Sequence, residues 1–398
     1  MDGIIDRPAT LAGAPGDPGR LECFIPTPCV QNHASFIAEL PGGDLGCVWF
    51  GGTQEGIPDI SVHFSRLEAG ASRWSEAAKL SDDPARSEQN PLLFTAPDGG
   101  LWLLWTAQLG GNQDTALVRR RISRDGGRSW GAIQTLIDEK PGFGTFIRSR
   151  IVVNAHGEWL LPIWRCTKPP VGAWTGDLDT SSVLISADAG VSWRESAVPD
   201  STGTCHMSIV PGGDPGGDPG GDGSLLAFFR SRWADHVHRS VSHDQGRTWS
   251  APRATVLPNN NSSIMALALA GGGIALCYNE SSAADATGRR QSLYDDIDGD
   301  EPAAPPGHGR AAFWGAPRAP LRLAISHDGG LTWPWRRDLE VGDGYCMTNN
   351  SKDRLNREFS YPSLCQTGDG AIHVAYTYWR QAIKYVRISE AWIRSGGA

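Results

Sequence analysis

The stretch Ser326-His327-Asp328-Gly329-Gly330-Leu331-Thr332-Trp333 is one of four copies of a pattern in which Ser, Asp, Gly, Ser or Thr, and Trp recur at fixed spacing. The other copies occupy residues 123–130, 186–193 and 242–249, and a degenerate copy without the Asp occupies residues 65–74. The pattern is typical of a rigid hairpin turn, in which the Asp accepts backbone N–H groups, the Gly takes a positive φ, and the Trp packs the turn against the next strand. Four copies in one chain predict a repeat architecture, in which these turns build the fold and perform no chemistry.

The composition of the 398 residues is typical of a folded protein made of many short strands. Hydrophobic residues make up 40% and charged residues 20%, with 16 Trp and 49 Gly, which favours strands and tight turns over long helices. The net charge of −8 argues against a nucleic-acid partner, which requires a basic face. Because no apolar run approaches the length of a membrane span, we expect no membrane partner either.

The N-terminal segment and the cysteines bear on the cellular compartment. Residues 1–20 are rich in Pro, Gly and Ala and lack a basic-then-apolar signal pattern, so we expect a disordered lead-in and a cytoplasmic protein. The eight cysteines show neither a C-x-x-C motif nor zinc spacing, which predicts reduced, mostly buried thiols. No metal or cofactor motif is visible, and we expect neither.

The repeated turn resembles the Asp-box of the sialidase superfamily, and residues 21 to about 388 resemble the bacterial-neuraminidase-repeat branch of that superfamily. The resemblance implies an all-β, six-bladed propeller with four-stranded antiparallel blades, in which each box joins the third and fourth strands of a blade. The sixth blade lacks a fourth strand of its own, and residues 22–25 can supply it and close the ring. We therefore predict one domain over residues 21–398, with insert loops at 211–223 and 279–320, the longer of which is either a lid or disordered.

Strand direction predicts which face of such a propeller carries a site. The start of each first strand shares a face with the loop between the second and third strands, so the boxes lie on the other face. Residues near the starts of the first strands converge on the axis, where propellers commonly bind ligands. The polar residues predicted there are His33, Asn90, Arg148, Arg150, His206, Asn260 and Tyr361.

Three positions match the sialidase template, in which arginines bind the substrate carboxylate, a Tyr activated by a Glu is the nucleophile, and an Asp is the acid/base. Arg230 ends the second strand of the fourth blade, Arg318 precedes the strand before the last box, and Tyr361 opens the last blade. By the resemblance, Arg230 and Arg318 bind a carboxylate and Tyr361 is the nucleophile.

Other positions depart from the template. The first arginine belongs before an Ile-Pro, where this chain has Phe24. His206 replaces the Glu that activates the Tyr, and Glu55, with Asp59 nearby, stands where the acid/base Asp falls. His33 is an additional titratable group that sialidases do not need.

Three functions remain open at this point. The arginines favour an acidic oligosaccharide or glycoside as substrate, because a guanidinium pairs bidentately with a carboxylate. Tyr361, with His206 as partner and Glu55 as proton donor, suits sialidase-like hydrolysis through a covalent intermediate. His33 or Tyr361 as base suits β-elimination from a uronate, as in the rhamnose–glucuronate lyases that resemble this box architecture. A glycan-binding propeller without catalysis is the third reading, and the oligomeric state is open.

Overall fold

The computed structural model describes residues 7–212, 223–290, 309–342, 344–346 and 357–396. These residues form six antiparallel sheets, which are the blades of a propeller, and they include only two short helical segments, at Ala283–Asp285 and Glu390–Arg394. The all-β, six-bladed propeller predicted from the repeats is therefore confirmed.

Each blade runs outward from an innermost strand near the axis. The N-terminal strands β1 (Ala12–Gly13) and β2 (Leu21–Ile25) belong to the last blade. Blade 1 contains β3 (Gln31–Glu39), β4 (Leu45–Gly52), β5 (Ser61–Leu67) and β6 (Ala78–Lys79). Blade 2 contains β7 (Arg86–Thr95), β8 (Leu101–Leu109), β9 (Asn112–Ser123) and β10 (Gln134–Ile137). Blade 3 contains β11 (Phe143–Ile147) and β12 (Val152–Val153), which both pair with β13 (Trp159–Thr167), then β14 (Thr180–Ser186) and β15 (Arg194–Ala197).

The second half of the ring repeats this order. Blade 4 contains β16 (Thr204–Pro211), β17 (Leu225–Ser231), β18 (His236–Ser242) and β19 (Arg253–Pro258). Blade 5 contains β20 (Met265–Ala268), β21 (Ile274–Asn279), β22 (Leu321–Ser326) and β23 (Trp335–Glu340). Blade 6 contains β24 (Phe359–Gln366), β25 (Ile372–Tyr378) and β26 (Ala382–Ile388), completed by β2 and β1.

The boxes form the turns between the third and fourth strands, as the repeat predicts. In the box after β9, the Asp125 carboxylate accepts the backbone N–H of Ser129 at 2.8 Å and the Ser129 hydroxyl at 2.5 Å. In the box after β22, Asp328 accepts the N–H of Thr332 at 2.9 Å. The box tryptophans Trp249 and Trp333 are buried, so each turn is fastened to its blade by an apolar contact.

The ring is closed by pairing of β2 with β26, in register from Leu21 opposite Arg387 to Ile25 opposite Ile383. Ion pairs reinforce this seam, because Lys384 contacts Glu22 at 3.2 Å and Glu340 of blade 5 at 2.8 Å. The closure removes the free sheet edge that the last blade would otherwise present.

The expectation of a disordered lead-in over residues 1–20 is wrong for residues 7–20. Strand β1 pairs with β2, and the Asp17 carboxylate accepts from Trp392 at 2.8 Å and from Arg337 at 2.7 Å. The composition did not predict this order because it depends on the outer edge of β2. That edge offers backbone hydrogen-bonding groups with which even a Pro- and Gly-rich segment can pair. The first six residues lie outside the described part of the chain, as do residues 213–222 and 291–308 of the two predicted inserts.

All eight cysteines are free thiols, and all except Cys29 are buried. Among the described residues, no helix is long and apolar enough to cross a membrane.

Candidate functional site

A bulge at the start of the innermost strands presents the candidate residues. Ala34, Asn90, His206, Asn261 and Tyr361 occupy corresponding places in five blades, and each has a positive φ between 49° and 57°. The pairing register shifts at this place in four of these blades. Left-handed backbone at non-glycine residues is strained and concentrates at functional sites, so the repeated bulge marks one mouth of the axial tunnel.

Tyr361 and Arg230 form the centre of the cluster. Arg230 Nη1 donates to the Tyr361 hydroxyl oxygen at 2.7 Å, and Arg230 Nε donates to Asn261 Oδ1 at 2.8 Å. Arg230 is 1% exposed and Tyr361 5% exposed. Arg230 Nη2 is buried without a hydrogen-bond partner in the described part of the chain. A buried guanidinium nitrogen of this kind is a donor available to an anion.

His206 contacts Arg230 and not the Tyr361 hydroxyl. Its Nε2 lies 3.2 Å from Arg230 Nη1, and its Nδ1 lies 2.9 Å from Ser263 Oγ. Because Arg230 can only donate, Nε2 accepts and Nδ1 carries the proton. Burial, together with the Arg230 charge, holds the pKa of His206 well below its ordinary value. The predicted link between Tyr361 and His206 is therefore indirect and runs through the Arg230 guanidinium. The two rings are in edge-to-face contact, with centroids 5.5 Å apart.

His33 lies against the other side of Tyr361, with ring centroids 4.2 Å apart. Its Nδ1 is 2.8 Å from Thr377 Oγ1 and 3.7 Å from Glu358 Oε1, which favours a proton on Nδ1. Burial and the nearby Arg380 hold the pKa of His33 well below its ordinary value. Nε2 is buried and has no partner among the described residues, so His33 presents a basic lone pair beside Tyr361.

Arg318 reaches the cluster as part of an ion network centred on Glu358. The Arg318 guanidinium lies 5.6 Å from the Tyr361 ring centroid and donates to Glu358 Oε1 at 2.8 Å. Arg380 donates through Nε to Glu358 Oε2 at 3.1 Å and through Nη1 to Glu55. Glu358 is fully buried, and the Arg380 and Arg318 charges outweigh its desolvation and hold its pKa well below the ordinary value.

Three predicted residues lie away from the Tyr361–Arg230 cluster or have other contacts. Arg148 lies beneath Tyr361 and donates to the backbone carbonyls of Ser35 and Tyr361, both at 2.9 Å. Arg150 donates to Leu364 O and lines the opposite mouth of the tunnel. Asp59 is exposed and accepts the N–H of Thr53. Arg150 therefore lies towards the opposite end of the propeller axis from Tyr361, and its substrate-binding role stays a prediction.

The two predicted asparagines differ. Asn260 donates to Pro317 O at 2.7 Å and lines the pocket at this mouth. Asn90 is buried at the bulge of its strand, and within the described structure it does not contact Tyr361 or Arg230.

Sequence reasoning missed Glu358, and it left Asn261 and Arg380 among the unselected residues of this face. Arg380 follows β25 in a second-to-third strand loop, so its position on this face was predictable. Glu358 lies three residues before Tyr361 and carried no motif. Among the described residues, no three His, Cys, Asp or Glu side chains are grouped so as to hold a metal ion.

The arrangement is a cationic pocket beside a buried phenol. Arg318, Arg380, Asn261 and Trp314 line the pocket, and the Arg318 guanidinium lies 5.6 Å from the centroid of the Tyr361 ring. Both histidines are neutral, and Glu358 offsets only part of the arginine charge. Such a pocket can bind a carboxylate and stabilise negative charge on the Tyr361 oxygen.

Comparison with known proteins agrees with this architecture. The BNR repeat-like domain model matches residues 43–374. The chain belongs to this family. No curated protein matches it by sequence. Solved structures that resemble this BNR repeat-like propeller include the Hadza microbial sialidase Hz136, with a TM-score of 0.65, 15% identity, and coverage of 92% of this chain and 67% of that one.

Two further structures match over nearly their whole length. The intramolecular trans-sialidase of Ruminococcus gnavus has a TM-score of 0.66 and 12% identity, and the match covers 96% of this chain and 99% of that one. A protein of unknown function from Dyadobacter fermentans has a TM-score of 0.65 and 16% identity, with 94% and 99% covered. At these identities the likeness shows that this BNR repeat-like protein has the propeller fold of sialidases.

Proposed function

We propose that this protein is a carbohydrate-active enzyme that cleaves the glycosidic bond of a terminal, carboxylate-bearing sugar by sialidase-like hydrolysis. The observation that carries the proposal is the Arg230 guanidinium, which donates to the Tyr361 hydroxyl through Nη1 while Nη2 stays unpartnered and buried. Arg230 thus offers one N–H group to an anion and binds the hydroxyl of a potential nucleophile, Tyr361, with another. The sialidases among the similar structures support the substrate class.

In the proposed reaction the substrate carboxylate binds Arg230 Nη2 with Arg318 beside it. Tyr361 loses its proton to a neutral imidazole, for which His33 Nε2 is free, and its oxygen attacks the anomeric carbon. Glu55 enters the reaction protonated and gives its proton to the leaving oxygen. As a carboxylate it then takes a proton from the water that attacks the anomeric carbon, and the His33 imidazolium returns its proton to Tyr361 as that oxygen is released. Arg230 stabilises the phenolate at both stages, because it already donates to that oxygen.

β-Elimination is the second candidate, and His33 favours it. Its Nε2 is buried, unpartnered and held neutral, which suits abstraction of the C5 proton of a uronate. The arginines would stabilise the carboxylate as charge moves onto it. The C4–oxygen bond would break as the double bond forms, with Tyr361 giving a proton to the leaving oxygen.

A panel of sialosides and glucuronate-terminated oligosaccharides separates these reactions. Hydrolysis adds one water to the products and creates no chromophore, whereas elimination adds none and leaves an unsaturated uronate that absorbs in the ultraviolet. For hydrolysis we expect Tyr361→Phe to lower kcat by about 100-fold or more while the substrate still binds, because loss of a nucleophile affects the chemical step. For elimination the larger loss should follow His33→Ala.

Tyr378→Phe is the matched control, since it removes a hydroxyl in the same blade from a ring that packs on Phe359 and Phe24. It should retain turnover. Full turnover by both single variants, Tyr361→Phe and His33→Ala, would exclude both mechanisms. Binding of acidic sugars by the wild-type protein without any turnover would favour a glycan-binding module.

A further inference from the structure

Residues 312–317, here called the strap, cross the candidate site from blade 3 to blade 5. The N–H of Ala312 donates to Asp177 Oδ1 at 2.7 Å, and the N–H of Phe313 donates to Arg232 O at 2.7 Å. At the far end, Asn260 donates to Pro317 O at 2.7 Å. The strap is thus fastened to three blades, and its position relative to the axis is fixed by backbone contacts.

Trp314 is the strap residue that covers the arginines. Its indole N–H donates to Thr175 O at 3.0 Å. The Arg230 guanidinium lies 5.7 Å, and that of Arg232 5.2 Å, from the centroid of the Trp314 ring. Arg232 is held by two hydrogen bonds to buried Asp179, so the covering ring rests on a fixed cation. Arg230 has no carboxylate partner in the described structure and depends on neutral groups for its orientation.

Asn261 connects Arg230 to the strap. Its Oδ1 accepts from Arg230 Nε at 2.8 Å, and its Nδ2 donates to Phe313 O at 2.9 Å. The uncharged amide accepts from the guanidinium through its oxygen and donates to the carbonyl through its nitrogen. Asn261 has a positive φ of 57°, which Asn tolerates better than most residues do. This backbone conformation directs the side chain between its two partners.

We propose that Asn261 is a positioning residue, which sets the plane of the Arg230 guanidinium against the strap so that Nη2 meets a substrate carboxylate. The inference rests on the proposed function, because it assigns Arg230 to an anionic sugar. With Nε committed to Asn261 and Nη1 to Tyr361 and His206, Nη2 is the nitrogen left for the substrate, and its direction follows from the other two contacts.

Asn261→Gly tests this without adding backbone strain, since Gly adopts the same positive φ freely. The matched control is Ser281→Ala, which deletes a 2.6 Å hydrogen bond from the Ser281 hydroxyl to Pro317 O of the strap that does not involve Arg230. The probes are D-glucuronate and N-acetylneuraminate, with D-glucuronamide as the uncharged analogue of the first, and the Kd values come from calorimetry. Thermal unfolding of each variant monitors the fold.

For Asn261→Gly we expect the Kd of both acids to rise about tenfold or more, because a charged hydrogen-bonding group is no longer oriented. The preference for glucuronate over glucuronamide should fall by a similar factor, and the Tm should match that of Ser281→Ala. Asn261→Asp, which keeps the contact to Arg230 but adds an anion that competes with the substrate, should weaken acid binding further.

Equal shifts in Kd for Asn261→Gly and Ser281→Ala, with an unchanged preference for the acid, would overturn the positioning role and leave the proposed function intact. Failure of the wild-type protein to bind either acid would overturn the proposed function and this role together.

Discussion

Arg230 shows how a single side chain can be divided between structure and chemistry. Its Nε and Nη1 bind Asn261, Tyr361 and His206, and only Nη2 lacks a partner in the described structure. The bidentate fork expected from the sequence is therefore already occupied on one edge. A substrate carboxylate would meet one nitrogen of Arg230 and take its second contact from Arg318.

Replacement of Arg230 by Lys should separate charge from geometry. Lys keeps the positive charge but cannot donate to Tyr361, Asn261 and a carboxylate from one plane. We expect kcat/KM for the acidic substrate to fall by at least about tenfold, since a hydrogen bond to a charged group contributes roughly 1.5–3 kcal/mol. Arg310→Lys is the control, because Arg310 is an exposed arginine that pairs with Asp235. Wild-type kcat/KM in Arg230→Lys would show that charge alone is sufficient.

At the scale of the element, the four boxes provide an internal comparison of one turn. The residue after the Asp has a positive φ in every box, and it is Gly126, Ala189, Gln245 or Gly329. Ala189 is exposed, so its side chain contributes little to packing while its left-handed backbone is unfavourable.

Ala189→Gly should therefore stabilise the protein by about 1 kcal/mol, the difference between left-handed strain and the added chain entropy of Gly. Gly329→Ala makes the reverse change in another box and should destabilise by a similar amount. Its new Cβ would meet Leu226 Cδ1 at 3.4 Å, an ordinary contact, so conformation dominates the effect. Urea unfolding measures both, and a destabilised Ala189→Gly would contradict the explanation.

The strands were largely predictable because the boxes repeat, whereas the starts of the innermost strands were not. Polar pairs such as Glu88-Gln89 are not typical of a strand, yet β7 begins at Arg86 and β3 at Gln31. These residues are buried because six strand ends converge around one axis, a burial that no local pattern encodes. The same convergence brings His33, Arg230, Arg318 and Tyr361 together, as predicted, and separates Arg150 from them. Glu358 escaped prediction, and Asn261 was not selected, because their roles arise from contacts between blades.

On the scale of the whole molecule, the closed ring buries histidines as well as apolar side chains. His63 is stacked on Trp49, and His373 is bound between Thr367 and Tyr385. Burial, with a smaller contribution from Lys79, lowers the pKa of His63 to about 4, and burial with Arg387 nearby lowers that of His373 to about 4. His33 and His206 are shifted in the same direction, so four neutral histidines are built into the fold.

These histidines predict a loss of stability in mild acid. Between an unfolded-state pKa of about 6.5 and the lower folded-state values, the unfolded chain binds protons that the folded chain does not. The free energy of unfolding should therefore be highest above about pH 6.5 and fall as the pH falls, by about 2 kcal/mol for each fully shifted histidine at pH 5. Glu358 contributes to the pH dependence of stability only at lower pH. Because its pKa in the folded protein is well below the ordinary value, its stabilising contribution persists until the pH falls below the ordinary range of a carboxyl group.

Urea unfolding at pH 7 and pH 5 measures the difference, and two variants assign it. His373→Asn removes one buried histidine and should reduce the loss by about 2 kcal/mol, whereas His243→Asn, which changes an exposed box residue, should leave it unchanged. Equal stability at the two pH values would mean that the histidines become protonated without opening the ring. In that case His33 and His206 would be cations at mild acid pH, and neither could accept a proton from Tyr361 or from a sugar there.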